Sequence, residues 1–393
     1  PWRAGRIGKG RDMEFVTAGE SHGPALTAIV TGVPAGVSID IDAINRDLAR
    51  RQGGYGRGGR QKIECDTAQI LSGVRFSQTL GTPVAVQVVN DDFANWTDRM
   101  APVGDAPDDL KRETCPRPGH ADLVGMLKIA TDDARDILER SSARETAARV
   151  AAGGIAKAVL SELGVDIYSY VRRIGAVELP KDAPVERVTI EASDCRCPDE
   201  ATTEAMKAAI DEARAAGESL GGEFVVVAEG LVTGLGSYAS GPSRLTSRLG
   251  AAAFSIPAIK GVEFGLGFEA ARRPGSRVHD SIYYSEAASF TRASNNAGGL
   301  EGGMTNGEPL VMTCAMKPIP TMMQPLDTVD TDTLMPVKAS KERSDVCAVP
   351  AAAVVAEAEV AFVLADAYLE KFGADAIDDI IAARHAYRER IVL

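Results

Sequence analysis

The chain of 393 residues has 43 Lys+Arg against 55 Asp+Glu, a formal charge of −12 at pH 7, and is 45% hydrophobic and 25% charged. These values exclude disorder as the main state, and the acidic balance excludes a general surface for duplex nucleic acid or an anionic membrane. An anionic ligand must therefore find a local basic cluster. Residues 1–12 contain Arg3, Arg6, Lys9 and Arg11 without apolar periodicity, and read as an extension ahead of a single domain over 13–393. From Met13 the apolar run Glu14-Phe15-Val16 breaks at Gly19-Glu20-Ser21-His22-Gly23 and resumes over Ala25 to Thr31, which predicts a strand, a functional bend and a second strand. Ser38 and Asp40 offer N-caps to a helix with Ile41, Ile44 and Leu48 on one face, which runs into Arg50-Arg51 and stops at Gly53-Gly54. Gly53 to Arg60 reads as a flexible loop, Lys62 to Gly73 as strand and turn, and Pro83 to Asn90 as a β-branched strand. After the polar stretch Asp91 to Glu113, two prolines in Pro116-Arg117-Pro118-Gly119-His120 fix the approach to His120, and a helix follows through Leu123, Leu127 and Ile129.

Arg144 to Leu163 is an Ala-rich helix with Gly153-Gly154, placed centrally because small residues permit close backbone approach. An amphipathic helix over Thr202 to Ala216 and strands over Glu223 to Glu229 and Leu310 to Met316 come next. Two terminal helices, Ala351 to Phe372 and Ala374 to Arg388, are separated by Gly373. The most apolar run, Ala348 to Leu369, contains Glu357 and Glu359 and reads as a buried or interfacial helix, not a membrane span. Elements neither alternate strictly nor segregate, which predicts an α+β fold with antiparallel or mixed sheets. Ile29-Val30-Thr31-Gly32-Val33 is echoed by Leu231-Val232-Thr233-Gly234-Leu235, a likeness that chance explains more readily than duplication.

Six cysteines are spread too widely for a disulfide framework, and no secretory apolar segment precedes them, so reduced thiols and a cytoplasmic setting are expected. Cys195-Arg196-Cys197 is the only close pair and lacks the second pair that a metal site needs. Of four histidines, His22 and His120 lie in Gly/Pro-bounded loops, where histidine more often works than packs, whereas His385 reads as surface. Arg50, Arg51, Arg57, Arg60, Arg117, Arg140, Arg144 and Arg343 stand in or beside Gly/Pro/Ser-rich loops. Guanidinium forks match carboxylate and phosphate bidentately, so this concentration fits a compact, multiply anionic ligand. Gly19-Glu20-Ser21-His22-Gly23 also fits the G-x-S-x-G nucleophile pattern, which leaves a serine hydrolase acting through Ser21 as the alternative. Too little chain precedes Ser21 to build the sheet such a nucleophile needs. Gly53 to Arg60 occurs once in an acidic chain, unlike RNA-binding repeats, and no dinucleotide fingerprint follows a strand.

Taken together, Ala18 to Pro24, Arg50 to Arg60, Arg117 to Asp122, Leu138 to Thr146, Asn295 to Met304, Lys317 to Thr321 and Arg343-Ser344-Asp345 resemble the chorismate synthase family, in the family's order and over nearly the whole chain. The resemblance implies a β-α-β sandwich with helices between antiparallel sheets, usually a homotetramer. It further implies a lyase that eliminates phosphate and the C6 proton from 5-enolpyruvylshikimate 3-phosphate to give chorismate, in the shikimate pathway. Reduced FMN is required without net redox change, and NADPH is a possible reductant of FMN although no motif for it is evident. By the same resemblance Arg51, Arg57, Arg60, Arg117, Arg144 and Arg343 bind the substrate. His120 serves the reduced flavin, His22 is the acid near the departing phosphate, and Asp345 relays the proton. FMN falls to Arg140, Ser141, Ser142, Pro257, Ala258, Gly302, Lys317, Pro318, Ile319, Pro320, Thr321 and Arg343. Pro257 departs from the amide side chain of many relatives and has no N–H to donate, so its contact would use the carbonyl or the ring.

Overall fold

The computed structural model describes residues 12–58, 65–286, 289–341 and 345–391. Two antiparallel sheets enclose a layer of helices. The first sheet has the strand order Glu14–Ala18, Ala25–Thr31, Val84–Val89, Ala68–Ser72. Its side chains alternate: Leu26, Ala28, Val30, Val84, Val86 and Val88 are buried, while Val16 and Ile29 face outward. The second sheet runs Ile259–Phe264, Leu310–Met316, Gly222–Glu229, Asp166–Ile174, Val177–Glu178. Val226 lies opposite Met312 on one side and Ser169 on the other, and the central strand is buried from Phe224 to Ala228.

Between the sheets, the helix Thr146–Glu162 packs on strands of the first sheet and the helix Val349–Phe372 on strands of the second, while the two helices pack on each other. Their approach is set by Gly153, where a Cβ would fall 2.2 Å from the Cβ of Ala358. The helix Ile41–Gln52 joins this layer through Ile44, which fills the space over Gly154. Asp40 caps that helix by accepting the N–H of Asp42 at 2.9 Å, and Gly53 ends it by donating to the carbonyl of Ala49.

Glu357, in the middle of Val349–Phe372, is buried without being apolar. It accepts from Arg50 (2.8 Å to each oxygen), Lys157 (2.7 Å) and Ser169 (2.6 Å), and Arg196 stands 3.6 Å away. Asp47 and Glu191 complete the group by pairing with Arg50 and with Lys157 or Arg196. Burial opposes the Glu357 charge, but Lys157 and Arg50 outweigh it and hold the carboxyl well below the ordinary range. No helix among the described residues is long and apolar enough to cross a membrane.

Two readings of the sequence need correction. The helix after His120 spans Asp122–Ile129, and its apolar side faces outward, with Leu123 47% and Leu127 74% exposed. The packed side is instead that of Gly125, which lies against Ile137. The terminal helices are Val349–Phe372 and Ile377–Ile391, because Pro350 starts the first helix at its N-terminal turn and the bend at Gly373 extends past Ala374. The two echoed pentapeptides adopt different structures: Ile29–Thr31 lies within a strand, whereas Leu231–Leu235 follows one.

Candidate active site

The bend after the first strand is a hairpin loop whose backbone requires glycine. Gly19 has φ +115° and a Cβ there would meet the carbonyl oxygen of Ala25 at 2.4 Å. The side-chain amide of Asn90 donates to the carbonyls of Ser21 (3.2 Å) and Gly23 (2.7 Å), which fixes the loop. His22 emerges with its Nδ1 2.8 Å from Oε1 of Glu139, its backbone N–H donated to Oε2 at 2.8 Å, and its ring stacked on Trp96 at 3.9 Å. Burial raises the Glu139 carboxyl, yet the His22 contacts outweigh it and the group stays below its ordinary range. This arrangement removes the serine-hydrolase alternative. Ser21 is 4% exposed in a strand-turn-strand hairpin, where a nucleophile elbow requires strand-turn-helix, and Nδ1 of the adjacent histidine is engaged by Glu139.

Arg51, at the last turn of Ile41–Gln52, turns inward to Thr146 Oγ1 (2.9 Å), the carbonyl of Ala143 (2.7 Å) and Asp66 (3.5 Å). Asp66 also holds Arg144, at 2.8 and 2.7 Å. Across the cluster Arg57 donates to Asp345 at 2.6 Å, and Gly58 N–H reaches the other Asp345 oxygen at 2.6 Å. Burial, with Arg57 and Arg144 nearby, pushes Arg51 down to about 10. Arg60 and Arg343 lie outside the described residues.

His120 sits where the proline-bounded segment enters its helix. Its Nδ1 is 2.5 Å from Asp122, which also accepts from the Arg117 backbone N–H (3.0 Å) and side chain (2.8 and 3.1 Å). Arg117 further donates to Thr321 Oγ1 at 3.1 Å. Asp122 is nearly fully buried, but His120 and Arg117 more than offset the burial and hold it well below the ordinary carboxylate range. With Nδ1–H given to Asp122, Nε2 is the nitrogen left for chemistry.

Backbone contacts join these groups. The carbonyl of Ile319 accepts from Ser219, Leu220 N–H donates to Val346, and Val346 N–H donates to Gly56, so the run Lys317 to Thr321 adjoins the Arg57–Asp345 segment. Lys317 Nζ donates to the Gly119 carbonyl at 2.5 Å, beside His120, and its backbone N–H donates to Ala258, which has φ +69°. Burial and Lys260 lower the pKa of Lys317. Pro257 and Ala258 occupy the half-buried turn into Ile259–Phe264. Gly302 turns a hairpin at φ +59°, where a Cβ would meet only the end of Met304 at 4.0 Å.

Other assigned groups have local structural partners. Arg140 binds the carbonyls of Thr17 (2.8 Å) and Gly19 (3.2 Å), the Ser141 hydroxyl returns to Ile137, and Ser142 Oγ accepts the Arg144 N–H. Asp66, Glu139 and Trp96 escape the sequence reading because Asp66 joins Arg51 to Arg144, 78 positions on, and Glu139 and Trp96 lie 117 and 74 positions from His22, with 144 − 66 = 78, 139 − 22 = 117 and 96 − 22 = 74. Asp122, two residues after His120, had a visible signal in that spacing.

A family model described as chorismate synthase matches residues 13–369. A chorismate synthase of Rubrobacter xylanophilus is 58% identical over 382 residues, covering 96% of this chain and 97% of the relative. That of Bacillus subtilis is 54% identical over 377 residues, covering 94% and 96%. A crystal structure of chorismate synthase superposes with a TM-score of 0.78 at 42% identity, covering 97% of this chain and 99% of that one. The family match from 13 to 369 spans both sheets and the candidate site residues, and the chain belongs to the chorismate synthase family of lyases.

Proposed function

We propose that the chain converts 5-enolpyruvylshikimate 3-phosphate to chorismate by anti-1,4-elimination of phosphate and the C6 proton, with reduced FMN bound, in the shikimate pathway. The observation that supports this most directly is the surplus of guanidinium in a buried cluster: Arg51, Arg57 and Arg144 share Asp66 and Asp345 among the described residues. In a chain of net charge −12, such a cluster suits a substrate with two carboxylates and a phosphate. The C6 proton is poorly acidic, and a side-chain base of ordinary pKa is badly mismatched to it. Reduced FMN, when bound, supplies the electron density and the base that the elimination needs.

The residues fit that cofactor. Lys317 Nζ has one carbonyl partner among the described residues, and Gly302 leaves open space where a side chain would intrude. Arg140, Ser141, Ser142, Pro257, Ala258, Pro318 to Thr321 and Arg343 are the remaining proposed contacts. His22 delivers a proton to the leaving phosphate from Nε2. His120 holds a proton at Nε2 toward the cofactor, Asp345 passes the C6 proton onward, and Arg60, Arg117 and Arg343 complete the anion site. We further read 13–393 as one catalytic domain, cytoplasmic and tetrameric, dependent on an external reductant.

The test is anaerobic turnover followed by chorismate absorbance, with photoreduced FMN. Product is expected only with reduced FMN, and His120→Ala and Asp345→Asn should each fall by about 10²–10⁴-fold. A folded, FMN-binding wild-type protein that yields no product would overturn the proposal.

A further inference from the structure

Each site histidine has a carboxylate on Nδ1, but among the described residues only His22 also has an aromatic cover. Glu139, 3% exposed, meets the histidine twice, accepting the backbone N–H and facing Nδ1, and Arg135 steadies the same carboxylate at 3.1 Å. Two contacts from one rigid group to the backbone and ring of one residue fix both the ring rotation and the tautomer. Trp96 stacks on the ring at 30°, its own indole N–H held by Asp92 at 3.2 Å and its ring flanked by Arg135 at 5.4 Å. The indole excludes water from that face of the imidazole. The helix Arg135–Ser141 supplies Glu139, the turn Asp91–Asn95 leads into Trp96, and Asn90 clamps the loop itself. Two separate segments, Asn90 to Trp96 and the helix Arg135–Ser141, thus converge on one imidazole, more support than a hairpin bend needs.

We propose that Glu139 and Trp96 are positioning residues for His22, keeping Nδ1–H on the carboxylate so that the proton given to the leaving phosphate is the one the imidazolium carries at Nε2, and the neutral Nδ1–H tautomer is what remains after the transfer. The inference rests on the reading of His22 as the acid for the leaving phosphate. Glu139 fixes which nitrogen exchanges its proton, and Trp96 fixes where that nitrogen is.

Two measurements test it. Imidazole ¹⁵N NMR is tractable because the chain has four histidines, and His22→Ala identifies the signal. Neutral His22 should show protonated Nδ1 and bare Nε2, and Glu139→Gln should give a tautomer mixture. In steady-state turnover, Glu139→Gln should lower kcat about 10- to 100-fold and Trp96→Leu about tenfold, with KM within about twofold, because proton delivery is impaired and substrate binding is not. Trp96→Phe, which preserves a stacked ring, should stay within about threefold of wild type. A wild-type His22 protonated at Nε2, or wild-type kcat in both Glu139→Gln and Trp96→Leu, overturns the proposal. Full activity in His22→Ala would instead overturn the reading of His22 as acid, and the NMR result separates the two failures.

Discussion

Arg50 and Arg51 are consecutive on one helix, yet they enter buried charge clusters of opposite character. Arg50 stands with Lys157 and Arg196 around Glu357, Asp47 and Glu191, three cations to three carboxylates. Arg51 stands with Arg57 and Arg144 around Asp66 and Asp345, three to two among the described residues. In the first cluster burial works against Arg50, but Glu357, Asp47 and Glu191 overcome it and raise its pKa. In the second, burial prevails and the neighbouring guanidiniums add repulsion, so Arg51 is pushed down. A closed set of charges holds helices together. A set with more cations than carboxylates among the described residues suits the anionic substrate proposed for it, a contrast that residue type alone does not make.

The largest effect should come from opening the closed cluster. Glu357→Gln leaves the buried Arg196 and the half-buried Arg50 and Lys157 short of a carboxylate and should cost about 3–5 kcal/mol in denaturant unfolding, with kcat per folded molecule nearly unchanged. Arg57→Ala should do the reverse. With Arg57 as the proposed substrate donor, its loss should lower kcat/KM about 10²–10³-fold, while stability falls by no more than about 2 kcal/mol because Asp345, 21% exposed, keeps the Gly58 N–H. If both variants lose stability equally, the distinction between the clusters fails.

Acid sharpens the same contrast. Glu357, Glu139 and Asp122 are all held below their unfolded values of 4.5 and 3.8, so the stability they contribute is present above those values and lost as pH falls through the lower folded ones. Glu359 and Asp366, raised by burial, have the opposite sign and soften the transition. Circular dichroism should show unfolding below about pH 4, with a shallower pH slope in Glu357→Gln. The smallest effect is expected at Arg140, 44% exposed, where alanine should cost about 1 kcal/mol of stability through the Thr17 and Gly19 carbonyls. FMN affinity in that variant, read by flavin fluorescence, should also drop if the guanidinium contacts the cofactor.

The sandwich was legible where neighbours in space are neighbours in sequence. The hairpin around His22, the central strands and the Ala-rich helix follow from periodicity and glycine placement. The burial of Asp122–Ile129 was not legible, because Gly125 against Ile137 outweighs an apolar face that the pattern alone would send inward. At the site, His22 and His120 stood out by their loops. Glu139, Asp66 and Trp96 did not, since each meets its partner only after distant segments converge. Nor could the sequence distinguish Arg50 from Arg51, which differ by the face of one helix.

Gly153 acts as a gauge for the molecule. The hairpin bearing His22 rides on the first sheet and Lys317 leaves the end of the second, so the thickness of the helix layer sets the reach between them. That thickness is defined at a contact with no functional group, where an added methyl would stand 2.2 Å from another. A shim of one carbon at Gly153 would spread the two halves of the site apart, so steric volume 131 positions along the chain from His22, with 153 − 22 = 131, is a variable of the chemistry.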